Sequence, residues 1–144
     1  MRLTTKSRYG TRMILDIARN SSGKPVPISE IAKRQNISIK YLEKLIRKLK
    51  QGNIVKSQRG PFGGHMLQKP MDQITLGELV RILEDTTAIT DCAEQDSKYC
   101  ATCNLAGECA TQWAWIEAST AMFERLDNIT ISELLEKCNQ GKFF

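Results

Sequence analysis

From Ser38 to Gly52 the chain sorts its apolar and charged residues onto different sides of one helix. Tyr41, Leu42, Leu45, Ile46 and Leu49 recur at steps of three and four, while Lys40, Glu43, Lys44, Arg47, Lys48 and Lys50 fall elsewhere. A segment of this kind must bury one face and leave the other free, which restricts everything packed around it. Ser38 stands where a hydroxyl can cap the first turn, and Gly52 is the expected stop. Ahead of it Ile28, Ile31 and Ala32 predict a short helix that Gln35-Asn36-Ile37 interrupts. Two helices joined by a tight turn, the second with cations on its free face, make a helix-turn-helix whose recognition helix can enter a DNA major groove. The competing reading is an antiparallel helical hairpin with a solvated surface.

The next residues favour the first reading. Ile54-Val55-Lys56-Ser57-Gln58-Arg59 predicts a strand, Gly60-Pro61-Phe62-Gly63-Gly64 a tight turn and His65-Met66-Leu67 the returning strand, a hairpin wing. Arg59, at the edge of that turn, is expected in an adjacent minor groove. Gly60, Gly63 and Gly64 are expected to let the backbone approach phosphates and to supply positive φ. The expected DNA contacts are Ser38, Lys40, Tyr41, Glu43, Lys44, Arg47, Lys48, Arg59 and these glycines. Lys40, Glu43 and Arg47 are assigned to base edges, Glu43 accepting from cytosine N4, and Lys44 and Lys48 to phosphates. His65, the only histidine, is read as structural or phosphate-facing.

Charge supports a polyanionic partner. The net charge of +5 divides unevenly: through Asp72 there are 16 Lys and Arg against 4 Asp and Glu, and after it 5 against 12. Concentrating cations in one half costs self-repulsion that double-stranded DNA would relieve, the alternative being a solvated charged face. No apolar run reaches about 18 residues, so no transmembrane helix is expected. The basic N-terminus has no apolar signal region behind it, which places the chain in the cytoplasm. No acid-base pair, phosphate loop or nucleophile constellation argues for an enzyme or a small-molecule substrate.

Tyr9, Met13, Ile14, Ile17 and Ala18 predict a first helix that packs on the helix-turn-helix and ends in Ser21-Ser22-Gly23-Lys24-Pro25. After Pro70, Ile74, Leu76, Leu79, Val80, Ile82 and Leu83 predict a helix closing the winged domain, with Thr75 and Glu78 as a capping box. Apolar periodicity then disappears, and Cys92, Cys100, Cys103 and Cys109 appear as Cys-x7-Cys-x2-Cys-x5-Cys. In a reducing compartment such a cluster points to metal or redox chemistry. Thiolates suit zinc, copper(I) or iron-sulfur clusters; only Cys100 and Cys103 have the spacing of a zinc knuckle, and the same pair could act as a redox dithiol, although no βαβ pattern surrounds it. Cys138 is read as an inert cysteine on a helical stripe.

Beyond Cys109, Trp113, Ile116, Thr120, Phe123 and Leu126 predict a long helix with a second apolar edge at Trp115, Met122 and Ile129. It is a candidate dimer interface, packing on its own domain being the alternative. Thr130 and Glu133 open a last helix through Leu134, Leu135 and Cys138. The expected fold is mainly α with a small β-hairpin wing, a winged helix-turn-helix followed by a long dimerisation helix. The expected organisation is a DNA-binding domain over 1–85, a cysteine-rich loop over 86–109, and dimerisation and C-terminal helices over 110–144.

Met1 to Gly10, Gln35 to Leu45 and Arg59-Gly60-Pro61-Phe62-Gly63-Gly64 resemble the signatures of the Rrf2 family of bacterial transcription regulators, and the resemblance covers essentially the whole chain. It implies a homodimeric winged-helix repressor or activator in which a long helix pairs the subunits and a cysteine loop holds a [2Fe-2S] or [4Fe-4S] cluster. It implies Cys92, Cys103 and Cys109 as ligands and leaves Cys100 as an extra thiol. Where the family's iron-sulfur regulators place a histidine ligand three residues after the last cysteine, this chain has Gln112; where the nitric-oxide-sensing branch has a carboxylate, it has Arg8. The fourth ligand is left to Cys100, water, a small thiol, or a carboxylate such as Asp91 or Glu94. Two other controls stay open: a partner protein in place of the cluster, or structural zinc without redox sensing.

Overall fold

In a computed structural model, which describes residues 3–94, 103–105 and 107–141, the chain is mainly helical with one antiparallel hairpin. The order is α1 (Thr5–Asn20), α2 (Ile28–Gln35), α3 (Ile39–Gln51), β1 (Val55–Gln58), β2 (Gly64–Leu67), α4 (Leu76–Leu83), α5 (Ala110–Asp127) and α6 (Ile131–Asn139). Short 3-10 turns cover Met71–Gln73 and Asp91–Ala93.

The helix starts follow from local chemistry. Thr4 accepts from the Lys6 amide at 3.1 Å, Ser38 from Tyr41 at 3.3 Å, Thr75 from Glu78 at 3.1 Å and Thr130 from Glu133 at 3.1 Å. Each satisfies an amide that the first turn leaves unpaired, worth about 1 kcal/mol. The expected box at Thr75 is only half made, because the Glu78 carboxylate pairs with Lys69 instead of turning back. Asn36, at φ 53°, takes the left-handed conformation that ends α2, and Ile37 behind it is buried and starts the turn into α3.

One core joins these elements. Met13, Ile14 and Ile17 of α1 meet Ile31 of α2, Leu42, Leu45 and Leu49 of α3, and Leu79 and Leu83 of α4. Full burial of each such side chain contributes about 1.5–3 kcal/mol, and Leu42→Ala would cost about 2–5 kcal/mol. Ile131 of α6 is buried in the same core, and the Ile131 amide donates to Ile74 O at 2.9 Å while Leu76 donates to Ile129 O at 2.8 Å. The sequence reading grouped α6 with α5; in the structure α6 packs on α1, because the Thr75–Thr130 bridge brings the chain back beside α4.

Helix α5 behaves differently. Its inward stripe is Gln112, Ile116, Ser119, Phe123 and Leu126, of which only Phe123 is buried and the others are half-buried. Trp113 and Thr120, expected on the main stripe, lie exposed, because the inward face of the helix is turned away from them toward Gln112 and Ser119, with Met122 and Ile129 of the second edge half-buried beside it. Arg81 of α4 fastens the C-terminal end, donating to both Asp127 oxygens at 2.6 and 2.7 Å with its guanidinium 4.4 Å from the Phe123 ring centroid. Among the described residues no helix is long and apolar enough to cross a membrane.

Candidate nucleic-acid interface and cysteine loop

Burying Leu42, Leu45, Ile46 and Leu49 turns the opposite side of α3 outward. Lys40, Glu43, Lys44 and Arg47 all lie on that side, exposed, and among the described residues none of them makes an ion pair. Four long polar side chains within one helical face, three of them cationic, are free to meet base edges and phosphates. Two other expected contacts have internal work. Ser38 caps α3, and the Tyr41 hydroxyl shares a 2.9 Å hydrogen bond with Thr5 while its ring meets Tyr9 edge-on at 6.0 Å.

Lys48, one turn beyond Lys44, is engaged within the protein. Its Nζ donates to Leu83 O and to Asp85 Oδ1, each at 3.0 Å, fixing α3 to the end of α4. Lys6 joins the same carboxylate, and its hydrogen bond together with that of Lys48 holds Asp85 below the usual carboxylate range. Beside it Glu84 is buried and bound by the N-terminal segment: it accepts from Ser7 Oγ at 2.6 Å, Thr4 N at 2.9 Å and Thr4 Oγ1 at 2.9 Å. Burial pushes the Glu84 pKa up, but the hydrogen bonds from Ser7 and Thr4 outweigh it and leave the carboxylate below its ordinary value. A second buried carboxylate, Asp16, locks α1 to α2 through Arg34 Nη2 at 2.6 Å and Gln35 Nε2 at 2.8 Å.

The wing is tied down at its base. Gly64 to Leu67 pair with Val55 to Gln58, and on the other side Val26 and His65 exchange two main-chain hydrogen bonds at 2.9 Å. His65 Nδ1 also shares a 3.2 Å hydrogen bond with Ser57 Oγ. Burial, then the nearby charge of Lys50, pushes the His65 pKa down, which favours the neutral ring. The three glycines divide their work differently from the expectation. Only Gly60 has positive φ, at 118°. A Cβ on Gly63 would meet Gln58 O at 2.4 Å and one on Gly64 would meet Val26 C and O at 2.5 Å, so the close backbone approach they permit is to the chain's own backbone. Arg59 stays exposed beside them. Phe62, at the tip, is 88% exposed and was not singled out by the sequence reading; an aromatic side chain inside a Pro- and Gly-rich turn was the signal for it.

Two cysteines meet the first turn of α5. Cys109 occupies the position before the helix, where hydrogen bonds from Thr111 Oγ1 at 3.0 Å and then from the Gln112 and Thr111 amides favour its thiolate and lower its pKa. Gln112 Nε2 donates to Cys92 O at 2.7 Å and its Oε1 accepts from the Gly107 amide at 3.3 Å. A single side chain thus joins both ends of the cysteine segment, a role that spacing alone did not reveal. Cys103 is exposed, and Cys100 lies outside the described residues. Soft thiols at one helix end, one of them held toward thiolate, suit an iron-sulfur cluster or zinc. Among the described residues no three donors converge at ligating distance. Cys138 is half-buried on α6, beside Leu135 and Arg12.

Comparison with known proteins agrees with this geometry. A family model described as "Rrf2: Iron-dependent Transcriptional regulator" matches residues 3–137. The protein rrf2 of Nitratidesulfovibrio vulgaris is 43% identical over 135 residues, covering 94% of this chain and 87% of that protein. The HTH-type transcriptional regulator IscR of Sodalis glossinidius is 38% identical over 135 residues, covering 94% and 79%. Among solved structures, T. potens IscR superposes with a TM-score of 0.77 at 28% identity, covering 100% of this chain and 93% of that one.

Proposed function

The chain belongs to the Rrf2 family of transcriptional regulators, and on that premise we propose that it acts as a homodimeric, sequence-specific DNA-binding regulator whose operator affinity follows the state of an iron-sulfur cluster. It is a regulator and not an enzyme. The observation that carries the DNA reading is the exposed, unpaired face of α3 formed by Lys40, Glu43, Lys44 and Arg47, with Arg59 on the wing beside it. Base recognition falls to Lys40, Glu43 and Arg47, and phosphate contact to Lys44. In this reading residues 1–85 bind DNA, the loop over 86–109 carries the cluster and α5 pairs two subunits.

Dimerisation is supported by two exposed tryptophans on different sides of α5. Trp113 is 66% and Trp115 44% exposed, which leaves large aromatic surface for a second copy to cover. A symmetric pair also gives two recognition helices and hence two half-sites.

Cys92, Cys103 and Cys109 would hold the cluster, with Cys100 as the fourth or an exchangeable ligand. When bound, the cluster supplies a redox-responsive centre. The protein's own part is to favour the Cys109 thiolate through Thr111 and Gln112 at the start of α5, to hold the Cys92 backbone through Gln112, and to carry any reordering of the loop into Asp85. That carboxylate grips Lys48 of α3 and Lys6 of α1, so the loop begins directly after the residue that fixes the recognition helix. A coupling of about 1–3 kcal/mol is expected.

Protein purified without oxygen tests this reading by its visible spectrum and its iron, sulfide and zinc content. Cluster-bound and cluster-free protein are then titrated with one duplex operator at one salt concentration. Equal affinity in the two forms would defeat the switch, and stoichiometric zinc without iron would replace the cluster by a structural metal. Cys103→Ala should lose the cluster, whereas Cys100→Ser should keep a less stable one with an altered spectrum; an unchanged spectrum and oxygen lifetime would remove Cys100 from the ligand set.

A further inference from the structure

Phe62 is the most exposed large apolar side chain among the described residues. Its position is set by a rigid turn: Pro61 restricts the backbone, Gly60 takes a φ of 118° that other residues avoid, and the Gly63 amide closes the loop on Gly60 O at 2.9 Å. The base of the same hairpin is pinned by the Val26–His65 pair. Among the described residues nothing covers the ring, so the chain keeps an aromatic group in water, at a fixed place, without internal reward.

The charge around it selects the partner. Between Glu43 and Asp72 the sequence has no acidic residue, while Lys44, Arg47, Lys56 and Arg59 all lie in that stretch. Arg59 is three residues from Phe62, on the same turn. An apolar side chain flanked by cations on the wing of a helix-turn-helix fits the minor groove of a polyanionic duplex, where apolar side chains can insert between base pairs. Pyrimidine-purine steps unstack most easily and would be the ones entered.

We propose that Phe62 is an apolar wedge that enters the minor groove flanking each recognition helix and partly unstacks a pyrimidine-purine step there. The wedge makes this residue a determinant of sequence at positions α3 does not touch, by selecting deformable DNA. It rests on the DNA-binding reading above.

The test uses the full chain as wild type, Phe62→Ala and Phe62→Leu, with unchanged thermal midpoints as the control for folding. Each protein selects duplexes from a random pool. Wild type and Phe62→Leu should enrich a TA or CA/TG step at a fixed distance outside a core motif, and Phe62→Ala should keep the core and lose the flank. On the wild-type duplex Phe62→Ala should bind on the order of tenfold more weakly, and on a duplex with a stiff A-tract in the flank the proteins should bind alike. 2-Aminopurine placed at the step should brighten with wild type and stay quenched with Phe62→Ala. Identical flanks and identical fluorescence for wild type and Phe62→Ala would overturn the wedge while leaving DNA binding intact. Selection of no duplex by any of the three would overturn DNA binding itself and the wedge with it. Phe62-dependent binding to phosphatidylglycerol vesicles, without flank selection in DNA, would assign the side chain to a lipid surface instead.

Discussion

Lys48 Nζ lies 3.0 Å from Asp85 Oδ1, and this ion pair fastens the recognition helix to the residue that immediately precedes the cysteine-bearing segment. A side chain engaged in this way contributes little to phosphate contact. Lys48→Ala should lower the thermal midpoint and leave the salt dependence of duplex binding unchanged, whereas Lys44→Ala should reduce the slope of log K against log salt by about 1. Equal slope changes in the two variants would return Lys48 to the phosphate-binding set.

Glu43 sits between Lys40 and Arg47 on the free face of α3 and has no cationic partner among the described residues. As an acceptor for cytosine N4 it should impose a C at one position of each half-site. Glu43→Ala should relax that position by about 1–3 kcal/mol while non-specific affinity rises, because a negative charge has left the interface. Competition between the selected duplex and its single-base variants reads both effects.

The buried Glu84 gives the fold a pH dependence whose sign follows from its hydrogen bonds. Its pKa is lowered on folding, so its contribution is fully present above the ordinary carboxylate value near ~4.3 and is lost as the pH falls through the lowered one. Glu84→Gln should therefore cost about 2 kcal/mol at neutral pH, and the gap between variant and wild type should close in acid. Urea denaturation at several pH values measures it, and a constant gap would show that the carboxylate charge is not what Ser7 and Thr4 hold.

Cys109 should be the described cysteine that alkylates at the lowest pH in cluster-free protein. Thr111→Val removes the first of the hydrogen bonds that favour its thiolate and should move that reactivity toward higher pH. Mass spectrometry of iodoacetamide adducts across a pH series reports Cys92, Cys103, Cys109 and Cys138 separately; a Cys109 profile matching that of Cys138 would contradict the assignment.

What the sequence revealed divides along the range of the interactions. Ser38, Thr75 and Thr130 announce their caps because each partner lies two turns of chain or less away, and Gly52 and Asn36 mark helix ends for the same local reason. The contacts of Lys48 with Asp85, Val26 with His65 and Asp16 with Arg34 join residues far apart in the chain, and nothing in the periodicity of either member specifies the other. Lys48 consequently looked like one more cation on a basic helix. The glycines of the wing were legible as a turn, but whether they approach DNA or their own backbone depends on where Val26 runs. In α5 the periodicity located Ile116, Phe123 and Leu126 on the inward stripe, but not Gln112 and Ser119, whose places depend on how the helix turns against α4 and the cysteine segment. Gln112 was visible as a missing histidine ligand, and its bridging hydrogen bonds appear only once the loop closes on the helix.

The two hydrogen bonds between Val26 and His65 make the wing and the helix-turn-helix a single gauge. With strand and helix clamped to one another, the spacing between the two proposed contact surfaces, the free face of α3 and the hairpin, is set within the protein. A mismatch in that separation cannot be absorbed by the reader and falls on the bent or stretched helix of the DNA. Operators should therefore be ranked by the stiffness of the base steps between their contacted positions as much as by the bases contacted, and the wing would act as a calliper that measures how willingly a sequence deforms.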